Sequence, residues 1–429
     1  AYDGDAAACV EFWRSDYEKR EGSFLLLHSW LLNFPRGLAG LLELLAGLAA
    51  GAGALFAAEL LQAPLNVIQL PYRLLRHLTD FEESPTSSTR QPSGARLILR
   101  GGAYVEELAL RLLSLELPEW YVSSSLVLPA GSQGLLANER PQDGHSSWHL
   151  VRWTLPRPGV SIWRVSLAAW DAILLGLKDG SPPPEAEELL LQLARCLSNV
   201  LIGSAESYDS FRKELPEDQG SQGLVERLLA TFFALANVTT DSAGPLRARL
   251  LLALRAACAA GAAPALLRLL EGAPSKFRCG RAADFVAALS GITDAEREAG
   301  LYPTTTAALA LIADVFKACP VELLALPWAV HQGLGLPHFS QPGPSVQGTG
   351  LVAEEVLGPL LDFTFGIFSR CSFWPCKVLT ERFALAQGCL GVAEALLPAL
   401  EVYNWPEAAS LATREDDFGA ALRSLRALQ

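Results

Sequence analysis

Methionine is absent from this chain of 429 residues, histidine occurs only six times, and charged residues make up 19% of the total. The histidines are dispersed, and no serine or cysteine lies in a nucleophile-elbow motif, so the sequence does not predict a hydrolase site. The lack of methionine, together with a start at Ala1, predicts that the chain is a piece of a longer protein.

The chain has too few cysteines for a disulfide-rich protein and too few clustered basic residues for a nucleic-acid-binding protein. The eight cysteines are scattered through apolar stretches without the density of a disulfide framework, which predicts buried free thiols in a reducing compartment. The formal net charge of −12 argues against direct binding to nucleic acid, which needs clustered Lys and Arg. The cysteines are Cys9, Cys196, Cys258, Cys279, Cys319, Cys371, Cys376 and Cys389.

Long hydrophobic runs are also missing. The most apolar run lies between Glu43 and Glu59, which is shorter than the ~20 residues that a membrane helix needs. Gly47, Gly51 and Gly53 interrupt it, so we expect two packed helices joined by a turn and no transmembrane segment. No signal peptide is visible.

Leucine and alanine dominate the sequence and favour helices. Apolar residues recur at helical spacing in many short segments that Pro and Gly separate, in pairs every ~40 residues. This pattern predicts a mainly α protein, an irregular HEAT/ARM-like α-solenoid. In the first half, helices are expected at Gly22–Leu32, Leu38–Ala49, Ala54–Leu61 and Leu65–Leu78, and from Ser181 to Gly203. In the second half, they are expected at Leu224–Ala236, Pro245–Ala260, Pro264–Leu270, Arg281–Leu289, Thr304–Ala318, Val321–His331, Val352–Ser369, Lys377–Leu397 and Phe418–Leu428.

Two local features refine the helical prediction. Thr293 and Glu296 have the spacing of a capping box and predict the start of a short helix. Clusters of Pro, Gly, Ser and Gln predict loops at Phe81–Ala95, Ser207–Gly223 and Gly335–Gly350.

Residues 126–165 differ from the helical pattern around them. Leu126–Ala137, Trp148–Leu155 and Val160–Val165 have the composition and alternation of short strands, with turn residues between the last two. Few short strands with tight turns predict a small SH3-like β-barrel inserted among the helices. The predicted organisation is therefore helical repeats over 1–122, an SH3-like β domain over 123–180, and further α-helical solenoid over 181–429.

Several motifs suggest chemistry but lack the residues that the chemistry needs. His145 and His149 have the spacing of a zincin, yet Ser146 stands where the general base would be. Cys371 and Cys376, with Cys389 further on, lack a second close pair of zinc ligands. Arg100-Gly101-Gly102 and the Gly47–Gly53 cluster are better interpreted as turns than as phosphate-binding loops. Asp417-Phe418-Gly419 matches the kinase metal-binding triplet, but it is better interpreted as the start of a helix. We predict no catalytic, cofactor-binding or metal-binding residue.

Four tryptophans lie in or beside the predicted β region, at Trp148, Trp153, Trp163 and Trp170. An exposed aromatic groove of the kind that SH3 domains use for Pro-rich ligands is one interpretation. The favoured interpretation is that the rings fill the core of the barrel and its joint with the helices, because large aromatic rings are seldom exposed.

Two segments carry a resemblance to a known family: residues 11–51, with Phe12-Trp13, and residues 128–177, with Leu150-Val151-Arg152-Trp153. Both resemble the large inner-ring scaffold nucleoporins of the one-eighty-eight family, in a fungal-type sequence. Beyond Leu177 the helical pattern is consistent with that family without being specific to it. The resemblance implies an N-terminal α-solenoid that an SH3-like domain interrupts.

The resemblance implies a non-enzymatic scaffold of the nuclear pore complex in the nuclear envelope, supporting nucleocytoplasmic transport of proteins and mRNA. Its implied partners are other nucleoporins, notably the inner-ring linker nucleoporin. A soluble transport-receptor-like adaptor that binds phenylalanine–glycine repeats, transport receptors or cargo is the first alternative. A hydrolase or transferase in an unfamiliar fold is the second.

Overall fold

The computed structural model describes residues 5–34, 37–72, 81–83, 96–99, 133–136, 149–155, 159–176, 184–204, 206–213, 215, 222–236, 243–277, 279–318 and 356–402. These residues are mostly helical with few strands, which confirms the mainly α class. The chain divides into two compact units, Ala1–Glu214 and Leu215–Gln429, and each is described by itself.

Unit 1 is built on helices that pack around α4 and α6. The helices are α1 (Ala6–Glu11), α2 (Phe24–Asn33), α3 (Leu38–Leu48), α4 (Gly53–Gln62), α5 (Ile162–Gly176), α6 (Pro184–Gly203) and α7 (Glu206–Lys213). Helix α6 packs against α3, α4 and α5, and α4 also packs directly against α5. Trp13, in a π-helical turn after α1, is buried, and its indole N–H donates to the carbonyl of Leu48 at 3.0 Å.

The apolar run between Glu43 and Glu59 forms two helices joined by a tight turn, as predicted. Gly51 has a φ of 53°, a conformation that favours glycine. A Cβ on Gly53 would lie 2.5 Å from the carbonyl oxygen of Leu48, so the chain passes too closely there for any larger residue. The two glycines thus make the turn possible.

The strands that the structure describes in unit 1 form two antiparallel sheets. A five-stranded sheet has the order β2-β6-β5-β4-β3, and a second sheet pairs β1 with β7. In the larger sheet Ile68 of β2 faces Trp153 of β6. The strands are β1 (Pro64–Leu65), β2 (Val67–Tyr72), β3 (Phe81–Glu83), β4 (Arg96–Leu99), β5 (Gln133–Leu136), β6 (His149–Thr154) and β7 (Val160–Ser161).

Strands therefore begin well before the β region that the sequence predicted. The helix expected over Leu65–Leu78 is wrong, since β2 occupies Val67–Tyr72. Pro71 cannot donate a helical hydrogen bond, and the β-branched Val67 and Ile68 favour a strand. The strand expected over Trp148–Leu155 is confirmed as β6.

Three further element predictions were wrong. The strand expected over Val160–Val165 ends at Ser161, because the Ser161 hydroxyl accepts the backbone N–H of Arg164 at 3.1 Å and begins α5 there. Phe81–Glu83 is strand β3, although a loop was expected. Glu206–Lys213 is helix α7, although a loop was expected from Ser207 onward. The segment is mostly polar, and burial of Tyr208 and Phe211 stabilises the helix.

A short neck joins the five-stranded sheet to the helices. Pro64 pairs with Ser161 and Leu65 with Val160, so the chain leaves α4 and returns to α5 through one pair of antiparallel strands. The backbone N–H of Leu155 donates to the carbonyl of Asn66 at 2.7 Å and extends the pairing. Because α4 packs directly on α5, the sheet is an insertion between two neighbouring helices.

Among the described residues of unit 2, three helix pairs are stacked. The helices are α8 (Gln222–Ala236), α9 (Ala243–Ala257), α10 (Ala263–Glu271), α11 (Ala282–Ala299), α12 (Pro303–Ala318), α13 (Gly358–Phe368) and α14 (Leu379–Val402). The pairs are α8 with α9, α11 with α12, and α13 with α14. The first helices pack in the row α8–α11–α13 and the second helices in the row α9–α12–α14.

The spacing of these pairs differs from the sequence prediction. The first two pairs begin at Gln222 and Ala282, an interval longer than the expected ~40 residues. Helix α10 accounts for part of the added length and packs against α8. Within the second row, the Arg255 guanidinium of α9 donates to the Asp314 carboxylate of α12 at 2.6 Å.

The predicted capping box at Thr293 and Glu296 was also wrong, since α11 runs unbroken from Ala282 to Ala299. The Glu296 carboxylate instead accepts the backbone N–H groups of Thr304 and Thr305, at 2.7 and 3.0 Å, and caps the next helix, α12. The Thr293 and Thr305 hydroxyls are hydrogen-bonded at 2.9 Å. Glu296 therefore does cap a helix, but it caps α12, across the turn that follows its own helix.

In the described part of the chain, one helical stretch, Gly244–Glu271, is long and apolar enough to span a membrane by length and composition. It bends at Gly261, where φ is 91°, and 56% of its apolar window is buried. Its packing against α8 and α12 is that of a core helix.

Candidate interaction surface

Most of the motifs that the sequence singled out lie outside the described residues. These are His145, Arg100-Gly101-Gly102, Asp417-Phe418-Gly419, Trp148, and the side chains of His149 and Trp153. Helices Val321–His331 and Phe418–Leu428 and the loop Gly335–Gly350 lie outside them as well.

Trp163 and Trp170 lie on α5, where both rings are buried. The Trp163 ring packs on Phe211 of α7 with centroids 4.4 Å apart. Because they are buried, these two rings do not belong to an exposed aromatic groove.

The candidate zinc cysteines lie close together in unit 2. Cys371 and Cys389 are buried, and Cys376 is half-buried. Burial raises the pKa of Cys371, and it raises the pKa of Cys389 to about 12, which disfavours the thiolates that a zinc ion requires. Among the residues that the structure describes, no group of three or more His, Cys, Asp or Glu could hold a metal ion.

A cluster of exposed apolar side chains at the corner between α13 and α14 is the clearest candidate for a functional surface. Phe373 is 87% exposed and Phe383 is 65% exposed. Apolar side chains grouped in this way on a folded surface usually mark a contact with another molecule. We call this cluster the corner patch; its members are Phe373, Val378, Leu379, Phe383 and Leu390.

The backbone of the corner is fixed by the side chain next to Phe373. A single 3-10 turn spans Cys371–Phe373, after which Trp374 becomes extended and turns inward. Trp374 is buried and stacks on Tyr302 with centroids 5.5 Å apart and an angle of 21° between the rings. Burial of Trp374 thus forces its neighbour Phe373 outward.

Hydrogen bonds hold the same segment on the turn between α11 and α12. The Tyr302 hydroxyl donates to the carbonyl of Pro375 at 2.7 Å, and the backbone N–H of Lys377 donates to the carbonyl of Gly300 at 2.9 Å. The Arg382 guanidinium donates to the carbonyl of Trp374 at 3.1 Å. A surface that is ordered in advance loses less conformational entropy when a partner binds.

Helix α14 continues the corner patch along one face. Its exposed positions include Leu379, Phe383, Gln387, Leu390 and Glu394, whose spacing places them in one stripe of an α-helix. The opposite face carries the buried Leu385, Cys389 and Val392, which pack into unit 2. The helix is therefore apolar on both faces, although only one of them is covered.

Charges border the stripe unevenly. Arg370 and Lys377 are exposed at the end where α14 begins, and Glu394 is exposed toward the other end. Glu381 is half-buried and accepts the backbone N–H of Tyr302 at 3.1 Å, so it is already engaged. The exposed surface is therefore positive at one end and negative at the other.

The sequence prediction did not find the corner patch. Apolar residues on every face of Lys377–Leu397 were a usable signal, because a helix that is apolar all round needs contacts on all sides. When all of these apolar residues are interpreted as core residues, nothing in the sequence distinguishes the exposed Phe383 from the buried Leu385. No model of a known protein family matches the chain, and no curated protein matches it.

Proposed function

We propose that this chain is a structural scaffold of the nuclear pore inner ring, acting by binding other nucleoporins, and that it catalyses no reaction. The observation that supports this most is the neck at Pro64–Leu65 and Val160–Ser161, which inserts a β-sheet between two helices that pack on each other. A β module set into a helical array is the arrangement that the resemblance to the one-eighty-eight family implies.

The helical part of the proposal is an irregular α-solenoid. Three helix pairs in unit 2 stack so that each row continues from one pair to the next, which is how solenoid repeats bury their apolar faces. Contacts between neighbouring pairs, such as Arg255 with Asp314 in the second row, link one pair to the next. An array of this kind offers a long surface with room for several partners.

The β part of the proposal is a small SH3-like barrel. Five antiparallel strands in one sheet are enough to curl into such a barrel, and their short lengths suit it. The domain organisation 1–122, 123–180 and 181–429 is retained as a prediction, although strands already begin at Pro64.

The proposed partner of the scaffold is the inner-ring linker nucleoporin. The test is a binding assay between the purified 429-residue chain and purified linker nucleoporin, by pull-down and then by calorimetry. We expect saturable binding by the full chain. In a variant, a short Gly-Ser linker replaces residues 67–154, and circular dichroism first verifies that its helices are intact. Its binding shows whether the helices alone bind the linker nucleoporin. Absence of binding by the full chain contradicts the proposal.

A soluble adaptor that binds phenylalanine–glycine repeats is the alternative that the corner patch favours, since exposed aromatic side chains suit such a ligand. Titration with a phenylalanine–glycine repeat peptide, and with the same peptide in which serine replaces each phenylalanine, distinguishes the two. Binding of the repeat peptide, without binding of the linker nucleoporin, supports the adaptor.

A further inference from the structure

We propose that the corner patch joins two copies of this chain, with α14 of one copy lying antiparallel to α14 of the other across a two-fold axis. The proposal goes beyond the scaffold function and does not depend on it. Its basis is the distribution of apolar and charged side chains along the exposed stripe of α14.

The apolar positions of the stripe complement themselves. In a two-fold pair, if Phe383 faces Leu390 of the second copy, then Leu390 faces Phe383 of the second copy. This register puts the axis between Ala386 and Gln387, at the middle of the exposed stripe. From Leu379 to Glu394 the stripe is about 22 Å long at the usual helical rise, enough for several turns of contact.

The charges complement themselves in the same register. The antiparallel arrangement brings Lys377 of each copy toward Glu394 of the other, so that opposite charges meet at both ends of the contact. Arg370 adds a second positive charge at the same end as Lys377. A partner helix of uniform charge would match only one end of the stripe, and this favours a second copy over a different partner.

The size of the contact indicates a weak dimer. Five exposed apolar side chains with a few charges form an interface at the low end of the range for specific association. The fixed backbone of the corner reduces the entropic cost of that association. We therefore expect a reversible equilibrium with a dissociation constant in the micromolar range.

Sedimentation velocity of the full 429-residue chain over a micromolar concentration series tests this. The expected result is a mass that rises from 46.0 kDa toward twice that value. Phe383→Glu and, separately, Leu390→Glu are each expected to weaken dimerisation by about tenfold or more, since each places an unpaired carboxylate against an apolar side chain of the other copy. A chain that stays at 46.0 kDa throughout overturns the proposal.

Charge exchange tests the register independently of apolar burial. Lys377→Glu and Glu394→Lys are each expected to weaken the dimer, and the variant that carries both substitutions is expected to regain the affinity of the unmodified chain. A double variant as weak as the single ones overturns the antiparallel register. Circular dichroism verifies that each variant is folded.

Leu25→Glu is the matched control, because Leu25 is an exposed leucine of α2 in the other unit, 63% accessible. It is expected to leave the equilibrium unchanged, and equal weakening by this control and by Phe383→Glu overturns the assignment to α14. The measurement uses the purified chain alone, so failure of dimerisation leaves linker-nucleoporin binding to be judged separately.

Discussion

Leu65 and Val160 face each other as antiparallel partners, although the whole five-stranded sheet lies between them in the chain. This pair and its neighbours make the neck through which a β insertion joins two packed helices. Strand β2 also packs against α2, so the sheet contacts the helices of unit 1 beyond the neck as well.

Substitution of Gly159 is expected to destabilise the neck. Gly159 has a φ of 81°, and a Cβ there would lie 2.5 Å from the carbonyl oxygen of Leu65. Gly159→Val combines backbone strain with a clash, so we expect unit 1 to lose about 2–4 kcal/mol of unfolding free energy. Urea denaturation followed by tryptophan fluorescence measures it.

Gly47→Ala is the control within the same unit. Gly47 lies in α3 with open space around its Cβ position, so alanine there is expected to be neutral or to stabilise by up to about 1 kcal/mol. Equal destabilisation by both substitutions would mean that Gly159 has no special role in the neck.

A buried carboxylate anchors the loop between α10 and α11. The Glu226 carboxylate of α8 accepts the Ser275 hydroxyl at 2.7 Å and the backbone N–H groups of Lys276 and Phe277. Glu226→Ala leaves these donors without an acceptor, and we expect a loss of about 2–4 kcal/mol in the unfolding free energy of unit 2. Glu226→Gln retains one acceptor oxygen and should lose less. A larger loss for Gln than for Ala would refute this account of the anchor.

Phe373 and Trp374 are adjacent but should respond in opposite ways to truncation. Trp374→Ala removes a buried ring from its stack on Tyr302 and is expected to lower the unfolding free energy by about 3–5 kcal/mol. Phe373→Ala removes an exposed ring and should change stability by about 0.5 kcal/mol or less. Thermal unfolding of the two variants makes the comparison, and similar melting temperatures would contradict the structure of the corner.

The buried thiols predict a loss of stability at alkaline pH. Burial raises the pKa of Cys196 from 9.0 to about 12. Between these values the unfolded chain releases a proton that the folded chain keeps, so the unfolding free energy falls by about 1.4 kcal/mol per pH unit for this thiol. The contribution is fully present below pH 9 and declines as pH rises toward 12.

Cys196→Ala should make the unfolding free energy of unit 1 less dependent on pH in that range, while Cys389→Ala, in unit 2, should leave the dependence of unit 1 unchanged. Denaturation curves at a series of alkaline pH values test this. An unchanged slope in Cys196→Ala would show that its thiol does not titrate as its burial requires.

Much of the helical structure follows from local patterns. Leu38–Leu48 and Gly53–Gln62 were predictable because leucine and alanine favour helices and the intervening glycines favour a turn. The strand at His149–Thr154 was predictable from its alternation of residues. In each case the deciding interactions lie within one element and its own turns.

The rest depends on residues that are distant in the chain. The short segment Phe81–Glu83 becomes a strand because it pairs with Arg96–Leu99, which in turn pairs with β5. These partners are distant in the sequence. Glu296 lies on α11 but caps α12, because the turn between them brings the start of α12 next to the Glu296 carboxylate. Exposure of Phe373 beside buried Trp374 is likewise decided by where Tyr302 lies.

The most direct test of the proposed scaffold function is photobleaching of this protein, fluorescently tagged in its native cells. A scaffold of the inner ring predicts a continuous signal at the nuclear rim that recovers only on the timescale of pore turnover. A diffuse signal that exchanges between nucleus and cytoplasm within seconds would contradict it and favour a soluble adaptor.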